Sequence, residues 1–96
     1  MEGQGTASPS APEERIGVVR KYFAKVGVAA VELTAGPLNV GDTIHIKGHT
    51  TDFEERVDSL EVDHQAVERA GAGSLVGLKV RERVREHDVV YRKPPA

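Results

Sequence analysis

Cysteine is absent from the 96 residues, which excludes a disulfide framework and thiolate metal sites and suits a reducing compartment. Aromatics are scarce. At 4% of the chain, Tyr22, Phe23, Phe53 and Tyr91 are the only large rings, so Val, Leu, Ile and Ala must fill the interior around them. No apolar run approaches a membrane span, and the N-terminus lacks the basic-then-apolar order of a secretory signal; the expectation is a cytoplasmic protein without membrane contact. The length leaves room for one domain with a small core.

What the chain does have is turn punctuation. Between Glu32 and Gly48 a strand ends, Gly36-Pro37 turns it, and Gly41-Asp42 reopens an alternating strand, an order the backbone follows as a tight β connection. Gly36, Pro37, Gly41, Asp42 and Gly73 are the expected structural turn residues, with a positive φ at Gly36 or Gly41. Residues 1–14 are small, polar and proline-containing and predict a disordered tail. A single domain is expected over 15–93, with a C-terminal tail at 94–96 beginning at Pro94.

Alternation predicts strands over 16–23, 28–33, 43–47, 53–62 (bent midway), 74–80 and 89–92, with one helical turn within 63–73. Ala29, Val31 and Leu33 share one face, as do Val76, Leu78 and Val80, which supplies two interior rows. The fold class expected is all-β, a small closed or nearly closed antiparallel barrel of about six or seven strands.

The order Gly36-Pro37-Leu38, Val40-Gly41-Asp42, Val57-Asp58-Ser59-Leu60, Ala72-Gly73-Ser74-Leu75-Val76-Gly77-Leu78 and Val84-Arg85-Glu86-His87-Asp88-Val89-Val90 resembles the second, β-barrel domain of translational GTPases such as elongation factor Tu. Through Ile44-His45-Ile46-Lys47-Gly48-His49-Thr50-Thr51-Asp52-Phe53 it resembles more closely the short freestanding group called translation elongation factor-like proteins. The resemblance implies a barrel that contacts RNA, the ribosome or the translation machinery. It does not extend to GTP, because no G-x-x-x-x-G-K-[ST] loop is present to cradle phosphates.

Charge is segregated within a formal net of −2. Acidic residues dominate from Asp52 to Glu68, and basic residues dominate beyond residue 78. On a strand continuing through residue 85, Lys79, Arg81, Arg83 and Arg85 would share one face at a spacing suited to phosphates. They are the candidate RNA or partner contact. The competing reading is a solvated face neutralised by Glu82, Glu86 and Asp88.

His45, His49, His64 and His87 do not predict a metal site. His45-x-x-x-His49 leaves a strand through glycine, and Asp63-His64 and His87-Asp88 are neighbours that point apart on an extended chain. Ser59 and Ser74 lack a nucleophile-elbow context and no paired carboxylates stand in a catalytic frame, so neither an enzyme nor a cofactor is expected. Two functions remain: a non-catalytic module contacting RNA or the translation machinery, and a protein-interaction adaptor acting in trans with a larger enzyme.

Overall fold

The computed structural model describes residues 13–94. Ten strands follow one another: β1 (Glu14–Phe23), β2 (Val28–Leu33), β3 (Leu38–Asn39), β4 (Thr43–Lys47), β5 (Asp52–Arg56), β6 (Leu60–Val62), β7 (Gln65–Val67), β8 (Arg69–Ala70), β9 (Leu75–Lys79) and β10 (Val89–Arg92). Residues 1–12 and 95–96 of the expected tails lie outside the described residues. Within the expected N-terminal tail, Glu14 already opens β1 and pairs with Arg92.

Eight strands form one antiparallel sheet in the order β5-β4-β10-β1-β2-β9-β6-β7, and β3 pairs with β8 in a separate two-stranded ribbon. The fold is all-β and antiparallel, but the expected closed or nearly closed barrel is corrected. The order ends at β5 and β7, which are not hydrogen-bonded to each other, so the sheet is a curled half-barrel. Its curvature follows from chain length. β5 and β6 stand six positions apart in the order, roughly 29 Å in a flat sheet at about 4.8 Å per strand, yet only Val57, Asp58 and Ser59 join them, a link reaching at most about 14 Å. The expected continuous strand over 53–62 is therefore two strands at opposite ends of the sheet.

The inner face is aliphatic. Ile16, Leu33, Leu38, Ile44, Ile46, Leu60 and Leu78 are among the fully buried side chains, each contributing about 1.5–3 kcal/mol by leaving water. The rings do not join them in the centre: Tyr22 and Phe53 pack at its margin, and Phe23 is 44% exposed. Ala29, Val31, Leu33, Val76, Leu78 and Val80 are buried, as their alternation requires. In β1 the alternation breaks. Register shifts between Arg15 and Gly17 and between Val19 and Lys21 let Ile16 and Gly17 be buried in succession.

Among the described residues there is no helix, and none long and apolar enough to cross a membrane. In place of the helical turn expected within 63–73, Asp63 and His64 take φ of 54° and 64° and close the β6–β7 hairpin between Val62 and Gln65. Two consecutive positive φ values give the turn that matches strand twist, and aspartate tolerates them better than most residues. Gly41 has φ +100° and Gly73 φ +91°. The Gly41-Asp42 turn is fastened to the β5–β6 link: Gly41 N–H donates to Val57 O, and Val57 N–H donates to Asp42 O, both at 2.8 Å. The Asp42 carboxylate accepts from Asn39 N–H at 2.9 Å. Gly36 lies against the 71–72 turn, and Pro37 follows it through a cis peptide.

Candidate functional site

In β4 the two-residue period turns Ile44 and Ile46 inward and His45 outward. Pairing places Glu54 of β5 opposite His45 on one side and Tyr91 of β10 opposite it on the other. Glu13, just ahead of β1, reaches the same face. Its carboxylate oxygens lie 2.9 and 3.0 Å from His45 Nδ1, while Asp52 Oδ1 lies 2.5 Å from His45 Nε2. Lys93 Nζ donates to Glu54 Oε2 at 2.7 Å and stands 3.9 Å from Glu13 Oε2.

Partial burial of the His45 ring lowers its pKa, but hydrogen bonds to Asp52 and Glu13 and their charges outweigh this and raise it above the ordinary histidine value. The bond to His45 holds the Asp52 carboxyl below its usual range against desolvation, with the charges of His45 and Lys47 assisting. The Glu54 bond raises the Lys93 pKa. Because both ring nitrogens face carboxylates, His45 is not placed to activate a nucleophile. Glu13, His45 and Glu54 are instead the described residues whose ligand-type atoms converge, all within 4.8 Å of one another.

The sequence did not single out this cluster, because its partners are set by register rather than proximity: 32 residues separate Glu13 from His45. The other histidines are exposed, and His64 and His87 occupy turns with φ of 64° and 76°.

The basic residues do not form one strand face. β9 ends at Lys79 and Arg81–Arg85 form no strand, so the extended row on one strand face is corrected. Lys79, Arg81, Arg83 and Arg85 are all exposed. Acidic groups fix the segment by its backbone: buried Glu55 accepts from Arg81 N–H and buried Asp88 from Arg85 N–H, each at 2.9 Å. The Arg85 side chain is directed to Thr50 Oγ1, 3.0 Å away.

A groove of about 450 Å³ opens on the outer face of β2, β9 and β6. Phe23, Val26, Val28, Ala30 and Leu75 give it an apolar lining, and Glu61, Asp63 and His64 its polar side chains. Val26 is 60% and Leu75 56% exposed. Large side chains on the outer face of a sheet expose apolar surface that burying the inner face leaves untouched. A smaller hollow shares Val26, Val28 and Glu61 and brings Lys79 to the margin.

No family model matches the chain. It is 45% identical over 91 residues to an uncharacterized protease of Methanocaldococcus jannaschii, across 94% of this chain and 22% of that protein. It is 40% identical over 73 residues to a collagenase of Porphyromonas gingivalis, across 75% of this chain and 20% of the collagenase. The chain thus spans about a fifth of the length of these curated relatives. Among solved structures, the C-terminal domain of a putative U32 peptidase from Geobacillus thermoleovorans superposes with a TM-score of 0.78 at 18% identity, covering 84% of this chain and 93% of that domain. Its selenomethionine variant gives 0.76. The fold is that of the peptidase C-terminal domain.

These matches overturn the resemblance to elongation factors, and with it the expectation of RNA binding. The Gly36-to-Asp42 punctuation describes how a small β scaffold turns, which is compatible with many functions.

Proposed function

We infer that the chain is a non-catalytic accessory module of a protease-type protein, binding the remaining polypeptide through the apolar groove. The observation that carries this reading is the length ratio: relatives named as proteases match it over about a fifth of themselves, and the solved likeness is one domain of a peptidase. Two features of the surface support it. The groove presents Val26 and Leu75 more than half exposed, and the Glu61 and Asp63 carboxylates in its lining suit a partner segment that pairs apolar anchors with cationic neighbours. Catalysis then resides in the partner, since His45 is engaged by carboxylates at both nitrogens. Lys79, which lines the adjoining hollow, belongs to the contact, and the exposed Arg81, Arg83 and Arg85 that follow it in the chain are a cationic protein-contact segment rather than a nucleic-acid surface.

The test titrates this chain against the M. jannaschii protease with its matching segment deleted. A defined complex is expected, weakened at least about tenfold by the double variant Val26→Asp/Leu75→Asp, whose exposed positions leave the fold intact. This chain alone should leave gelatin uncleaved. Absence of a complex, a complex indifferent to the double variant, or cleavage by the isolated chain would overturn the reading.

A further inference from the structure

We propose that Glu13, His45 and Glu54 form a binding site for a divalent transition-metal ion, with Asp52 orienting the histidine and Lys93 holding the site when metal is absent. The register already arranges the ligands: His45 and Glu54 are directly opposite on adjacent strands, and the Glu13 carboxylate meets His45 Nδ1 at 2.9 and 3.0 Å, close to the edge of a metal coordination polyhedron. Asp52 bonds the other ring nitrogen. Its carboxylate at Nε2 would accept the ring N–H and leave the Nδ1 lone pair for the ion, the outer-shell arrangement that fixes the tautomer of metal-bound histidines.

Charge balance points the same way. Without metal, the Glu54 carboxylate accepts from the Lys93 ammonium, which also stands 3.9 Å from Glu13 Oε2, and the Glu13 carboxylate faces His45 Nδ1. A divalent ion between the two carboxylates supplies the positive charge that Lys93 otherwise brings to them, and Lys93 swings out. Lys93 lies beyond β10 and can turn its ammonium into water without disturbing the sheet. One imidazole and two carboxylates suit zinc, cobalt or manganese, and three protein ligands leave a position for water. This site lies on the outer face of β4 and β5, separate from the groove and independent of the accessory-module reading.

Titration of the chain with Zn²⁺, and with Co²⁺ followed by its visible absorption, tests the site. Tyr91, whose ring is 6.0 Å from that of His45, offers a fluorescence report. One ion per chain and an upward shift of the melting temperature are expected. His45→Gln should remove the site, and Asp52→Asn should weaken it about tenfold or more through lost orientation. Lys93→Met, which deletes the competing ammonium, should tighten it, an outcome no purely structural role for the cluster predicts. Circular dichroism of each metal-free variant establishes that it is folded. No saturable binding by the wild type, binding unchanged in folded His45→Gln, or weaker binding in folded Lys93→Met would overturn the proposal.

Discussion

Gly17 is held in a part of β1 where a side chain has no room. A Cβ there would stand 2.6 Å from the backbone oxygen of Glu32 and 3.0 Å from Val31 Cγ1, and the first is backbone in the neighbouring strand that cannot rotate aside. Gly17→Ala should therefore cost about 2–3 kcal/mol, lowering the melting temperature by roughly 8–24 °C for a domain of this size. Gly71→Ala is the control. Nothing lies within 4 Å of its virtual Cβ and its φ is not in the left-handed region, so that substitution should be neutral or slightly stabilising in the same thermal melt. If both variants melt together, the close approach at Gly17 does not constrain the fold. The two kinds of glycine differ in how far the sequence reveals them. Gly41 announces itself through its Asp42 neighbour, whereas Gly17 sits between Ile16 and Val18 with nothing local to show that another strand's carbonyl lies against it.

At the scale of elements, position in the sheet sets protection. β1 and β2 lie in its middle, while β5 and β7 each expose one row of backbone groups. The edge β5 reads Asp52-Phe53-Glu54-Glu55-Arg56, a charge density that discourages pairing with another chain. Native-state hydrogen exchange should thus find the slowest amides in β1 and β2 and markedly faster exchange in β7, which among the described strands pairs with β6 alone. Equal protection of β7 and β2 would contradict this order. β4 was legible because it alternates without interruption, and β2 and β10 because they are short, mostly apolar runs bounded by turn residues or proline. The division of β5 from β6 was not. Phe53, Glu55 and Val57 keep one phase and Leu60 and Val62 another, a shift that a local bulge and a change of sheet position produce equally well in a linear string. The His45 cluster was hidden for the same reason: the residue types were visible, but only the β4–β5 register sets Glu54 opposite His45.

For the molecule as a whole, β1 pairs with both β2 and β10, so native contacts join the two ends of the described residues. Closing such a long loop precedes the gain from the contacts it permits, and refolding monitored by stopped-flow should fall in the millisecond-to-second range of non-local β folds. Microsecond refolding would mean that local hairpins carry more of the stability than this topology allows. The overall class was legible from short alternating segments and turn residues; closure was not, because two interior rows fit a closed barrel and an open curled sheet alike, and here the sheet bends without joining β5 to β7. The placement of β10 between β4 and β1 also has a consequence for biosynthesis. Translation delivers the strand that joins the two halves of the sheet after all the others. Until residues 89–92 clear the ribosome, β1 and β4 each have one unpaired side facing the other, and a nascent chain at that stage presents two receptive edges to any extended segment nearby.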